Sequence, residues 1–164
     1  MTGPQTRIKA DLSELEKFVK ELGGQYVARV GILGSKAVEP HQNAAGMTNS
    51  ELGVIHEFGS ISRNIPPRSF LRMPVEMKQK DIVQALGSYQ VQNLFNNGQI
   101  KYVYRFLGLY AESFIKQAFS SGGFGRWAPN KPNTIAQKGS DKPLIDTAQL
   151  RRSITSDVVK KSEL

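Results

Sequence analysis

IKYVYRFLGLYAESFIKQAF, residues 100–119, decides how this chain folds. Val103, Phe106, Leu107, Tyr110, Phe114, Ile115 and Phe119 recur at helical intervals, so they form one apolar stripe on a helix about 30 Å long. A stripe of that length needs a surface to cover. Two short runs supply one. QYVARVGIL, residues 25–33, alternates and is rich in β-branched residues, and residues 153–159, SITSDVV, read as a second strand. The expectation is an α+β domain, in which these two strands pair as a small antiparallel sheet packed against the long helix, with long ordered and mobile loops between.

Shorter elements fill the remainder. Asp11 or Ser13 can cap a first helix, with Leu12, Leu15, Phe18, Val19 and Leu22 at helical spacing and Gly23-Gly24 as its stop. Residues 34–49 are polar and aperiodic and read as a mobile loop. Ser50 can cap a short helix through Leu52, Val54, Ile55 and Phe58, ended by Gly59. Pro66-Pro67 forces an extended turn. A helix follows from about Ser69 to Leu86, interrupted near Pro74 or begun afresh there with the proline in its first turn. Residues 88–98 are ambiguous apart from a turn at Asn96-Asn97-Gly98. SSGGFG, residues 120–125, reads as a flexible hinge into a basic loop around Trp127, at about residues 122–146. Thr147 can cap a last short turn through Leu150. There is no internal repeat and no clean linker, so residues 1–164 read as a single domain.

Composition narrows the class. At 39% hydrophobic and 22% charged residues, the chain is of a folded, globular type. It has no cysteine, which removes disulfides, thiolate nucleophiles and cysteine-based metal sites and fits a reducing cytoplasm. No apolar run reaches membrane-span length, and the charged N-terminus MTGPQTRIKADLSELEKF is unlike a signal peptide, so no membrane partner is expected. The net charge of +8 is unevenly placed. Residues 1–60 hold six Lys/Arg and seven Asp/Glu, whereas residues 61–164 hold sixteen and seven. Such asymmetry suits a surface that meets nucleic acid or an acidic protein face, or else a scatter of solvated lysines.

Catalytic patterns do not emerge. His56-Glu57 resembles the start of a zincin motif, but the position four residues after His56 is Ser60, so the second metal-binding histidine is missing. His41 falls in the polar loop. There is no G-x-S-x-G elbow and no phosphate-binding G-x-x-x-x-G-K-[ST] loop, and the carboxylates are scattered. The chain therefore reads as a non-enzyme with no cofactor and no metal. Arg63, Arg68 and Arg72 surround the Pro-Pro turn. Arg68 and Arg72 would share a helix face if the helix began that early, and they suit a phosphate or a partner's carboxylate. The internal alternative is an arginine that holds loop carbonyls or Glu57. Lys131, Lys138, Lys142, Arg151 and Arg152 make the segment after Trp127 basic, suited to DNA or an acidic surface, or simply solvated. Trp127 is either a core anchor for its loop or an interface anchor.

Two segments carry a family resemblance. EFGSISRNIPPRSFLR (57–72) and WAPNKPNTIAQKGSDKPLIDTAQLRRSI (127–154) resemble, in order, the two blocks of the tailed-bacteriophage virion-morphogenesis family of tail-completion and neck proteins. In that family the blocks read E-F-G, then I-P-x-R-x-F-L-R, then W-x-P-x-x-x-x-T-I-x-x-K-G and P-L-I-D-T-G-x-L-x-x-S-I. Ala148 stands where the family usually has glycine, a departure that bears on the local turn. The resemblance implies a structural virion protein that joins head connector and tail as a ring of copies at the neck, after assembly in the host cytoplasm. Its implied partners are neighbouring copies, head-closure or connector proteins, tail-terminator or tail-tube proteins, and genome DNA in the lumen. Carried onto this chain, it makes Phe58, Arg68, Phe70, Arg72 and Trp127 candidates for a partner or subunit interface. The competing reading is a free-standing basic nucleic-acid-binding protein.

Overall fold

A computed structural model describes residues 24–44 and 46–164. The helix expected at residues 11–22 lies outside the described residues. Two strands, β1 (Tyr26–Ile32) and β2 (Ile154–Lys160), pair antiparallel with Tyr26 opposite Lys160 and Ile32 opposite Ile154. Between them run α1 (Ser35–Val38), α2 (Asn49–Phe58), α3 (Arg72–Met77), α4 (Gln79–Leu86), α5 (Tyr89–Asn96), α6 (Ile100–Ser120), α7 (Pro132–Lys138) and α8 (Gln149–Ser153). The α+β expectation holds: the small sheet packs against the long helix α6.

A two-stranded sheet is marginal alone and needs a covering element. Helix α6 lies across both strands. At Gly108 a Cβ would stand 3.2 Å from the Cβ of Ser156. Glycine lets helix and sheet approach backbone to backbone there. One turn further on, Glu112 accepts a hydrogen bond from the Ser156 hydroxyl at 2.7 Å.

The two ends of α6 serve different clusters. Its C-terminal half gives Ile115, Ala118 and Phe119 to the main core, with Phe70, Trp127, Leu150 and Ile154. Phe119 meets both Phe70 and Trp127 edge-on, at ring-centroid distances of 5.4 and 5.7 Å. Nearer its start, Val103 packs with Val91 of α5, bordered by Leu86, Leu94, Phe95 and Phe106. That contact explains why the ambiguous residues 88–98 are helical: Val91, Leu94 and Phe95 share one face.

Several local expectations are corrected. Thr48, not Ser50, caps α2; its side chain accepts from Glu51 N while the Glu51 carboxylate accepts from Thr48 N. Of the two readings for Pro74, a fresh start with the proline in the first turn is the one found: α3 begins at Arg72, the missing amide costs no intrahelical bond, and the break before α4 falls at Lys78 instead. The supposed mobile loop at 34–49 contains α1 and a bridge between Pro40 and Thr48. The supposed hinge at 120–125 is the end of α6 followed by a tight turn, with Gly123 N bonded to Ala118 O at 2.7 Å. The Trp127 loop contains α7, started by Pro132 and closed by left-handed Gly139.

Candidate functional site

The two sequence blocks fold into one unit. Glu57, the penultimate residue of α2, is buried and turns its carboxylate toward the start of α3. Oε2 accepts from the amides of Phe70 (2.7 Å) and Leu71 (2.9 Å), while Oε1 accepts from the Ser69 hydroxyl (2.6 Å) and the Arg72 amide (3.2 Å). One carboxylate thus satisfies the open amides at the positive end of a helix. Across the block boundary, Arg68 donates through Nε to Ala128 O at 2.8 Å and through Nη2 to Pro129 O at 2.9 Å. Trp127 Nε1 donates to Ser69 O at 3.1 Å, and Lys131 Nζ donates to Asn64 O at 3.0 Å.

Of the residues singled out in the sequence, Arg68, Phe70 and Trp127 come together inside the fold, while Phe58, Arg72, Lys142 and Arg152 stay on the surface. Phe70 is fully buried at 0% exposure, so it belongs to the core and not to a surface of this chain. Trp127 is buried beside it and anchors its loop. Arg68 is 7% exposed and faces inward; it precedes α3, which begins at Arg72, so the two arginines share no helix face. Arg72 is exposed and sits 3.7 Å from Glu76. Phe58 is 68% exposed. Among the basic residues, Lys142 and Arg152 are exposed, and Lys131 reaches Asn64 as above. Lys138 Nζ donates to Lys142 O at 2.8 Å, and Arg151 is half-buried with no partner for Nε among the described residues. Lys131 and Lys138 thus each spend a donor on a backbone carbonyl.

What the sequence did not announce is a half-open cavity of about 170 Å³ between the blocks, with an apolar wall at Leu52, Leu144 and Leu150 and several polar and charged groups. His41, His56, Arg68, Asn130, Lys138 and Asp146 line it. A clasp closes one side: Asn43 Nδ2 donates to Asp146 Oδ2 at 2.6 Å, Gln42 N to Gln149 Oε1 at 3.1 Å, and Gln149 Nε2 to Pro40 O at 2.9 Å. These partners lie more than a hundred residues apart, which is why an aperiodic segment gives no sequence signal of being tied down. His56 is pushed down to about 4 by burial first, then by Arg68, His41 and Lys138, so it is neutral at pH 7. Burial lowers His41, opposed by Asp146. Lys138 is lowered by burial and by Arg68, with Asp146 acting the other way. Arg68 is lowered by burial.

The arrangement offers two cations, neutral polar groups and one exposed carboxylate, Asp146, in a semi-enclosed space. Among the described residues no group of three His, Asp or Glu is placed to hold a metal ion. No helix among them is long and apolar enough to cross a membrane. Beside His56, both oxygens of Glu57 are already engaged. No protein-family model, curated protein or solved structure matches the chain.

Proposed function

We propose that this chain is a structural virion protein of a tailed bacteriophage, joining head connector and tail as a ring of copies at the neck. The observation that carries this reading is the interlock of the two blocks. Their most distinctive residues, Glu57, Arg68, Phe70 and Trp127, hold each other in place in one scaffold. Residues shared with a family in this way are the ones a common architecture would need. Ala148 adds support. It sits at φ 59°, the left-handed conformation that the family's usual glycine would favour.

In this reading neighbouring copies form the ring, and head-closure or connector proteins and tail-terminator or tail-tube proteins flank it. Exposed Lys142 and Arg152 face genome DNA or acidic neighbours. The exposure of these residues is also what favours the second reading, a free-standing basic nucleic-acid-binding protein. Cryo-electron microscopy of purified particles tests the proposal: density for this chain as a closed ring between portal and tail tube is expected. Its absence from particles, together with tight, salt-dependent DNA binding by the isolated chain, overturns it in favour of the second reading.

A further inference from the structure

The cavity between the blocks is lined by a buried charge, Arg68, that makes no ion pair among the described residues. Arg68 is 7% exposed, and its guanidinium is fixed by two carbonyls, which are neutral. No ion pair among the described residues includes Arg68 or Lys138. Buried charges are ordinarily paired, because desolvation otherwise goes unanswered. Arg68 Nη1 has no protein partner among the described residues, and the side chain lines the cavity. Lys138 enters from α7 with one of its three donors used on Lys142 O. The one carboxylate on the cavity, Asp146, acts on His41 and Lys138 and is hydrogen-bonded to Asn43.

We propose that this cavity is an oxyanion site, taking a carboxylate- or phosphate-sized anion as the counter-charge that Arg68 lacks. Arg68 and Lys138 supply charge, and Asn130 and Thr134 supply neutral polar groups at the wall. Planar guanidinium geometry suits a two-oxygen acceptor. Exposed Asn43 and Asp146 line the same cavity and mark where it meets solvent. The site is independent of the ring reading: the same chemistry serves a free phosphate or the carboxylate of a docked protein.

The groups facing His56 are Arg68, Lys138, His41 and, across the cavity, Asp146. An anion seated among them favours the imidazolium, so His56 reports occupancy. The experiment follows the His56 imidazole by NMR in the full chain during titration with inorganic phosphate, between about pH 3.5 and pH 8, a window that includes the unliganded midpoint. The Lys138→Gln variant is run beside it, after its melting curve without phosphate has been matched to the parent; Thr134→Val serves if that variant unfolds. The expected result is a saturable shift, a raised His56 titration midpoint, and affinity weakened at least about tenfold in Lys138→Gln. Displacement of phosphate by a short peptide with a free C-terminus, but not by its amide, assigns the site to a protein carboxylate. Phosphate binding without such competition assigns it to free phosphate. The absence of a saturable shift, or one unchanged in both variants (an adventitious ion only), overturns the proposal.

Discussion

Ala148 shows how one residue can keep a conformation at a cost. At φ 59° its Cβ crowds the following carbonyl, a strain that glycine does not feel. Ala148→Gly is therefore expected to stabilise the fold by about 0.5–1 kcal/mol, read from the urea midpoint, after glycine's larger unfolded-state entropy is offset. No change, or a loss, would show that the turn tolerates alanine without strain. His56 makes a second residue-scale prediction. Its ordinary value is 6.5 and it stands at about 4 in the fold, so the folded state resists its protonation. That stability is intact above pH 6.5 and is lost as pH falls through the window to 4, by up to roughly 3 kcal/mol. His56→Gln should flatten the pH dependence of the urea midpoint in that window; an unchanged slope would mean that other groups carry it. At this scale legibility is uneven. That an arginine beside Pro66-Pro67 can hold loop carbonyls is readable in the sequence, but its partners sixty residues on are not. The family motif makes Phe70 an interface candidate, yet it is fully buried, because a motif does not say which side of a turn faces the core.

Elements were easier to read than their joints. The long helix and both strands follow from period alone, because each has one buried face and burial enforces the spacing. The joints depend on tertiary partners. Helix α3 takes its cap from Glu57, twelve to fifteen residues upstream of the groups it accepts, where no local capping rule looks. The turn after α6 departs from the hinge expectation for a related reason. Gly122, Gly123, Phe124 and Gly125 all adopt positive φ, so glycine here gives a fixed shape and not slack. Gly123 has φ +68°, and a Cβ would come within 2.3 Å of Cδ1 of the Trp127 ring. Gly123→Ala should thus destabilise the chain by more than about 2 kcal/mol and red-shift Trp127 fluorescence as the indole is displaced. Unaltered emission and stability would restore the hinge.

For the molecule as a whole, the exposed apolar residues bear on how copies meet. Val54 and Phe58 stand on the outer face of α2, and Ile61 follows at 102% exposure on the turn beyond it. Under the ring proposal this is the side from which Phe58 contacts a neighbour. Phe58→Asp is expected to leave monomer stability within about 0.5 kcal/mol while stopping incorporation into particles, scored by particle composition. Normal incorporation would remove Phe58 from the interface. The base of that turn is closed by its own backbone. Ser60 and Ile65 exchange both backbone hydrogen bonds at 2.9 Å, and Arg68 N bonds His56 O at 2.7 Å, so the neck of the excursion is stitched shut beneath its tip. Lengthening a loop whose ends are already joined adds only a slowly growing entropic cost. Residues 61–63 are therefore a place where the monomer's fold can carry a spliced epitope or fluorophore-binding peptide, a handle that would also report, by blocking incorporation, whether this side meets a neighbour.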